Sequence, residues 1–205
     1  MQLTLLHRKE SIVFTTIDVM NEYGVQALST REVARREGIT EGAIFKHFPR
    51  KKDLLIAVLD YFTKCDEEIF NEIIENKLMS KDAIICFVDI YTTYYQNYPA
   101  ITSIAQALDE MRCNPELEDK VKNILNNRLE FMIVLIEQGQ VNGYISKDTD
   151  KVTLADIIIG TLQGICLRWR FENYQFSLKA NSLQATQMII DALYDKSNQR
   201  SGEKW

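Results

Sequence analysis

Apolar residues recur along most of the chain at intervals of three and four, the spacing that predicts amphipathic helices. The first such stretch covers residues 8–23 and is followed by Gly24, a residue type common just after helices. A longer stretch runs from about Lys51 to about Asn76. Further helices are predicted at 80–97, 100–112, 116–141, 152–173 and 182–196. Because no alternating pattern longer than a few residues predicts a strand, the expected fold class is all-α, with about nine helices.

Two short helices are predicted between the first stretch and the long one. Ser29 and Glu32 have the spacing of an S-x-x-E capping box, which begins the second helix. Thr40 is a suitable N-cap for the third, over residues 41–47, and Pro49 closes it. Two short helices joined by the tight turn 37–40 match the helix-turn-helix unit of DNA-binding proteins.

The distribution of charge supports this interpretation, although the total does not. The net charge of the 205 residues is −5, which is unfavourable for a protein that binds DNA. Residues 1–52 nevertheless carry nine basic and six acidic side chains, so this segment has a charge of +3 and the remainder −8. A basic head is attracted to phosphate, while an acidic body discourages unspecific wrapping of DNA.

Several other classes of protein find no support in the sequence. No apolar run approaches the roughly 18 residues of a membrane-spanning helix, and residues 1–10 show no signal-peptide pattern, so no membrane association and a cytoplasmic location are expected. The four cysteines are scattered and are expected to be free thiols. Both histidines lie in the head, and no metal cluster, glycine-rich phosphate loop or nucleophile motif occurs. We therefore expect no cofactor, no metal and no enzymatic activity. An all-helical enzyme, or a helical interaction protein whose head does not bind DNA, is the alternative.

The segments 29–34, 38–48 and 51–55, with their aromatic-x-His-Phe and Lys-x-x-Leu-Leu motifs, resemble the TetR family of repressors. The resemblance implies a DNA-binding domain over residues 6–66, with the motif at about 29–48, and an effector-binding and dimerisation domain over 67–197. It also implies a homodimer that places two recognition helices in successive major grooves of a palindromic operator. A small molecule bound in the helical body would release the DNA.

The candidate DNA-binding residues follow from this arrangement. They are Thr30, Arg31, Thr40, Glu41, Gly42, Ala43, Phe45, Lys46, His47, Lys51 and Lys52. The small Gly42 and Ala43 allow close approach to DNA, while Lys46 is suited to guanine or to phosphate. Thr30 and Thr40 stand at helix N-termini, which favour phosphate.

Three of these positions are ambiguous or depart from the family pattern. Glu41 either reads cytosine N4 or interacts with the helix dipole. Phe45 replaces the Tyr of many family members and lacks its hydroxyl, so it can only pack. His47 either donates to phosphate or is an ordinary surface histidine.

Tyr91, Tyr94, Tyr95 and Tyr98 share much of one helix face, which predicts either a core stripe or the wall of a ligand pocket. The candidate ligand-binding residues are Phe62, Tyr91, Tyr94, Tyr95, Met111, Arg128, Phe131, Gln163 and Trp169. Arg128 interrupts an apolar stripe and is expected to meet either a ligand carboxylate or an acidic side chain. The aromatic bias favours an apolar or aromatic effector.

The last two predicted helices are the expected dimerisation elements. Gly160 and Gly164 are four residues apart, a spacing that lets another helix approach closely, from the partner or from the same chain. The candidate interface residues are Ile157, Gly160, Thr161, Gly164, Ile165, Met188, Ile189 and Leu193. The helix at 51–76 is expected to transmit ligand binding to the heads, whose half-sites lie about 34 Å apart on DNA.

Overall fold

The computed structural model describes residues 2–76 and 80–193, and within them the predicted all-α fold of nine helices, with no strand, is confirmed. The helices are α1 (Gln2–Tyr23), α2 (Thr30–Arg36), α3 (Glu41–His47), α4 (Lys51–Glu75), α5 (Ser80–Asn97), α6 (Thr102–Met111), α7 (Glu118–Val141), α8 (Lys151–Phe171) and α9 (Leu178–Leu193). A 3₁₀ turn, Pro99–Ile101, precedes α6. The predicted end of the last helix, at residue 196, and that of the second domain, at residue 197, lie outside the described residues.

Three predicted helix starts are wrong, two of them because of a local cap. Helix α1 begins at Gln2 and not at residue 8. The helix predicted from residue 116 begins at Glu118, since the Asn114 side chain accepts a hydrogen bond from the Glu116 amide at 3.1 Å and forms a turn. The last helix begins at Leu178 and not at 182, because the Ser177 hydroxyl accepts from the Ala180 amide at 3.1 Å.

The described residues form two compact units, residues 2–66 with 98–124, and residues 67–76 and 80–97 with 125–193. We call them the head unit and the body unit. The head unit therefore holds α1–α3, the first part of α4, α6 and the start of α7. The body unit holds the remainder of α4 and α7 together with α5, α8 and α9. All four cysteines are free thiols, as expected.

In the head unit, α1 buries one apolar face and carries an aromatic contact on its side. Ile12, Ile17 and Met20 are buried, whereas Tyr23, the last residue of the helix, is exposed. The Phe14 ring lies 4.9 Å from that of Tyr61 in α4 and 6.1 Å from that of Tyr98. These contacts attach both α4 and the segment before α6 to α1.

The hydroxyl of Tyr98 reinforces this attachment. It donates to Asp18 Oδ1 at 3.2 Å, so the segment that leads into α6 is bound to α1 by a polar contact as well as by the rings. Burial, and then the Asp18 carboxylate, raise the pKa of Tyr98. The phenol therefore stays protonated and acts as a donor throughout the physiological pH range.

In the body unit, α9 packs against both α5 and α8. Lys179 at the start of α9 forms a 2.6 Å ion pair with Asp89, and its backbone amide donates to Gln96 at 2.7 Å, which fixes α9 to α5. Ile74 at the end of α4 is apolar, yet 62% of its surface is exposed.

Candidate DNA interface and ligand-binding body

Helix α2 begins with half of the predicted capping box. The Ser29 hydroxyl accepts from the Glu32 amide at 3.4 Å, as predicted. The Glu32 carboxylate does not return to Ser29 but binds Arg35 at 2.7 Å and Arg36 at 2.8 Å. These two guanidinium groups, Arg35 first, lower the pKa of Glu32 to about 2.

The turn between α2 and α3 is fastened to α1 by Glu37. Its carboxylate accepts hydrogen bonds from Ser11, at 2.8 Å, and from Thr15, at 2.5 Å, and it lies 3.6 Å from Arg8. Only 7% of the Glu37 side chain is exposed. Sequence analysis placed Glu37 in the turn without recognising that it fixes the helix-turn-helix to the rest of the head.

Helix α3 presents the expected inner and outer faces. Thr40 caps it by accepting from the Ala43 amide at 3.2 Å, and Ile44 and Phe48 are buried beneath it. Gly42, Phe45 and Lys46 are exposed. A Cβ atom on Gly42 would meet only the Thr40 hydroxyl, at 3.9 Å, so nothing within the chain demands a glycine there.

The first turns of α2 and α3 are joined by a side-chain hydrogen bond. Thr30 Oγ1 donates to Glu41 Oε1 at 2.5 Å. Both groups were predicted to face DNA, Thr30 at a phosphate and Glu41 at a base or at its own helix dipole. In the structure each engages the other, a contact that sequence analysis did not consider.

Most of the basic residues of the head are paired internally. Arg36 binds Glu22 as well as Glu32, and Arg50 binds Asp53 at 2.5 Å. Among the described side chains, neither Arg31 nor Lys46 has an ion-pair partner, and both are exposed. The net charge of the segment therefore overstates the number of cations that are available to DNA, and Arg31 and Lys46 are two exposed cations that no described carboxylate pairs with.

Lys51 and Lys52 at the start of α4 lie in different surroundings. Lys51 is exposed and its Nζ donates to the backbone carbonyl of Gln26 at 3.3 Å. Lys52 forms an ion pair with Glu116, in the connection between α6 and α7. Both lysines line a shallow groove of about 300 Å³ that also includes Glu110 and Met111.

In the body unit, aromatic rings from three helices form a continuous series of contacts, called the stack below, in which the phenylalanine rings are stacked and the tyrosine rings are tilted or edge-on. The Phe131 ring of α7 lies 4.1 Å from Phe70 of α4 and 6.2 Å from Phe87 of α5. Phe87 lies 4.6 Å from Tyr91, which in turn lies 5.9 Å from Tyr95. Phe70 and Phe87 were not among the predicted ligand-binding residues, although Phe87 shares the helix of the predicted tyrosines.

An apolar groove and a buried cation both lie beside the stack. Phe131 lines a groove of about 530 Å³ together with Ile73, Ile74, Ala83, Val134, Leu135 and Gln138. Arg128, three residues before Phe131 on α7, is only 7% exposed, and its guanidinium carbon lies 5.2 Å from the centre of the Tyr91 ring. Among the described residues that line the groove, Gln138 alone has a polar side chain.

The remaining candidate ligand-binding residues are divided between the two units. Phe62 and Met111 are buried in the head unit. Trp169 is buried and contacts the ring of Tyr174 at 4.6 Å, while its indole nitrogen has no hydrogen-bond partner within residues 2–76 and 80–193. Gln163 is exposed on α8, so the structure does not place it with the buried aromatic residues. Tyr94, half-buried, lies 6.3 Å from Tyr95 at the edge of the stack.

Helix α8 exposes an apolar stripe at spacings of three and four. The stripe consists of Ile157, Gly160, Gly164, Leu167 and Phe171. Nothing lies within 4 Å of a Cβ atom built on either glycine, and Phe171 is 78% exposed. Sequence analysis found the first three members but missed Leu167 and Phe171.

The other candidate interface residues lie on α8 and α9 beside this stripe. Met188 is exposed, and Thr161, Ile165, Ile189 and Leu193 are partly so. Among the described helices, α8 alone is long and apolar enough to cross a membrane by length and composition, with 33% of its most apolar window buried. Sequence analysis did not predict a helix that is both this long and this apolar. Helices at protein interfaces and in the cores of proteins in water share these properties.

Comparison with known proteins identifies both parts of the chain. A family model described as bacterial regulatory proteins, tetR family, matches residues 12–58. A second, described as the C-terminal region of YsiA-like proteins, matches residues 62–192. The fatty acid metabolism regulator protein of Bacillus subtilis is 21% identical over 185 residues, covering 90% of this chain and 95% of that protein.

Two further similarities agree with these matches. The transcriptional repressor BepR of Brucella suis is 22% identical over 195 residues, covering 93% of each chain. The crystal structure of the regulator FadR from Bacillus subtilis, in complex with stearoyl-CoA, matches with a TM-score of 0.77 and 21% identity, covering 90% of this chain and 99% of that one.

These matches confirm the predicted family, the regulatory function and the expected partners, which are operator DNA, a small-molecule effector and a second copy of the chain. They give no support to an enzyme or to a head that has lost DNA binding. The chain belongs to the TetR family of bacterial regulatory proteins and is a ligand-responsive, DNA-binding transcriptional repressor.

Proposed function

We propose that the effector of this repressor is a long-chain acyl compound, of which fatty acyl-CoA is the first to test, and that its binding in the body unit releases operator DNA. The observation that carries this proposal is an apolar groove lined by Phe131, whose ring belongs to an aromatic cluster that also includes Tyr91 beside the buried guanidinium of Arg128. The DNA-binding, ligand-binding and dimer residues named below, and the domain boundaries at residues 6–66 and 67–197, are part of the proposal.

The groove has the properties of a site for a hydrocarbon chain. Its volume of about 530 Å³ falls in the range of small-molecule sites. Ile74 and Val134 line it and are exposed, so apolar surface is left in contact with water that an acyl chain would cover. Burying this surface favours ligands in proportion to the apolar area that they remove from water.

The surroundings of Arg128 suit a polar or anionic group of a ligand. Arg128 is buried in the body unit beside the Tyr91 ring, and a guanidinium in such surroundings binds carboxylate or phosphate oxygens through paired N–H groups. An amphiphile with an apolar tail and a polar head would therefore find matching groups in Phe131 and Arg128. The stearoyl-CoA bound to the related Bacillus subtilis regulator has this character.

The effector proposal can be tested by titration with saturated acyl-CoA compounds of increasing chain length. We expect the melting temperature of the protein to rise with tail length, because each added methylene buries apolar area, whereas coenzyme A without a tail gives no rise. Val134→Asp places a charge in the groove and should abolish the effect. Val141→Asp, the same change on the same helix at an exposed position outside the groove lining, should preserve it. Equal responses of the two variants, or no response to any acyl chain, would contradict the proposal.

The proposed DNA interface is the outer face of α2, α3 and the start of α4. Lys46 and Arg31 have no competing ion pair among the described residues and are the first candidates for base and phosphate contacts. Thr40, Gly42, Ala43, Phe45 and His47 lie on or beside α3 and complete its surface, with Lys51 and Lys52 adding phosphate contacts. We assign Thr30 and Glu41 to the support of α3, because they bind each other.

The proposed dimer interface is centred on the apolar stripe of α8, flanked by Met188 of α9. Removing these side chains from water supplies the association energy, and the two open glycines let helices approach closely. Thr161, Ile165, Ile189 and Leu193 border the stripe. We further propose a cytoplasmic location and no catalytic role, in keeping with relatives that are transcriptional regulators.

A further inference from the structure

Glu116 is placed to compete with DNA for Lys52 at the start of α4. It forms an ion pair with Lys52, and its second carboxylate oxygen lies 3.8 Å from Arg50 Nη1. Glu116 belongs to the connection between α6 and α7, 64 residues away from Lys52 along the chain. The contact therefore joins this connection to the segment that directly follows the recognition helix.

The position of Glu116 is determined by its neighbours. The backbone amide of Glu116 is bound by the Asn114 side chain at 3.1 Å, and the next residue, Leu117, is 1% exposed. Leu117 and Asn114 line the same groove as Lys52, with Val25 and Leu55. The turn and the buried Leu117 thus hold the carboxylate beside Lys52. Because Glu116 is already positioned, forming the ion pair costs less conformational entropy than it otherwise would.

We infer that Glu116 is an affinity-setting residue, which occupies Lys52 in the free protein and must be displaced when operator phosphates approach Lys52, whereas the nearby Arg50 has Asp53 as its main partner at 2.5 Å. This inference rests on the proposed function, in which Lys52 contacts phosphate. Exposed ion pairs are weak, so phosphate can displace the carboxylate, but the loss of the pair reduces the net gain from binding. Because the contact is with backbone phosphates, the effect applies to every DNA sequence.

The test is Glu116→Gln, which removes the charge and keeps the shape. Fluorescence anisotropy with an operator duplex selected from random DNA, and with a random duplex of equal length, gives the two affinities. We expect about two- to fivefold tighter binding to both duplexes, corresponding to the strength of an exposed ion pair. The gain should shrink as the salt concentration rises, because salt screens the competing carboxylate.

A second variant separates competition from a general change in charge. Glu118→Gln makes the same change two residues away and breaks the 2.6 Å ion pair with Lys122, so it should leave both affinities unchanged. In a Lys52→Gln background, Glu116→Gln should increase the affinity for DNA by a smaller factor than it does in the wild-type protein. Thermal unfolding followed by circular dichroism verifies that all variants are folded.

The outcomes are distinct. Glu116→Gln without tighter binding, or Glu118→Gln with an equal gain, would overturn the inference while leaving the proposed function intact, since wild-type protein would still bind the operator. If the wild-type protein bound neither duplex, the proposed function itself would fail and the inference with it.

Discussion

The side chains of Thr30 and Glu41 join the two short helices of the DNA-binding motif, with 2.5 Å between hydroxyl and carboxylate oxygens. Thr30 opens α2 and Glu41 opens α3, so one hydrogen bond relates the N-terminal turns of both helices. A carboxylate engaged in this way is available to support the recognition helix and is less available to read a base.

Glu41→Gln tests this assignment. The amide retains an acceptor for Thr30 but removes a negative charge from the DNA-binding face, so affinity for all DNA should rise slightly, by less than about 1 kcal/mol. The sequence preference should not change. Competition titrations with operator variants altered at single base pairs measure this sequence preference. A change of preference confined to one base pair would show that Glu41 reads that base.

Gly42→Ala should separate folding from DNA binding. The helix has room for the methyl group, and alanine favours helices over glycine by roughly 0.5–1 kcal/mol, so the free energy of unfolding should rise. Operator affinity should fall, because the added methyl group stands on the face that approaches DNA. The two quantities can be measured by chemical denaturation and by anisotropy. An alanine variant that binds operator as tightly as the wild type would contradict the close approach proposed at Gly42.

Glu37→Ala should destabilise the head unit. The substitution removes the shared acceptor of the Ser11 and Thr15 hydroxyls, and hydrogen bonds to charged groups contribute about 1.5–3 kcal/mol each. We expect a loss of at least about 2 kcal/mol in chemical denaturation. Glu10→Ala, at an exposed position of α1, serves as the control and should change stability by less than about 0.5 kcal/mol. Equal stability of the two variants would mean that Glu37 does not fasten the motif to α1.

Phe171→Asp should dissociate the dimer. It introduces a charge at the most exposed aromatic side chain of the α8 stripe, where association would have to bury it unpaired. Size-exclusion chromatography with light scattering should give the mass of one chain for this variant and of two for the wild type. Leu125→Asp, a comparable change at an exposed position of α7, should remain dimeric. A dimeric Phe171→Asp variant would place the interface elsewhere.

The fold could be predicted from sequence because its signals are local. Thr40, Ile44 and Pro49 define α3 within ten residues, through a cap, a buried contact and a terminator, and the structure agrees. The start of α9 was missed because the weaker cap, Ser177, follows a polar segment without periodicity. Leu167 and Phe171 could have been found, since they continue the spacing of Gly160 and Gly164 along α8.

The contacts that adjust the DNA-binding site could not be predicted, because they join residues far apart in the sequence. Glu37 meets Thr15 across 22 residues and Lys52 meets Glu116 across 64. The net charge of the head follows from the sequence. Which of its basic side chains form ion pairs depends on the carboxylates that the fold brings near each of them. The same holds for the aromatic stack, to which Phe70 and Phe131 come from different helices.

The central claim is that one ligand in the body unit controls DNA binding by the heads, which requires that the ligand bind the DNA-free state more tightly. The most direct measurement is the affinity of the purified dimer for an operator selected from random DNA, with and without a saturating long-chain acyl-CoA. The account predicts a palindromic operator with half-sites about 34 Å apart, bound tightly by the free protein and at least tenfold more weakly by the loaded protein. An acyl-CoA that binds the protein and leaves operator affinity unchanged would contradict it.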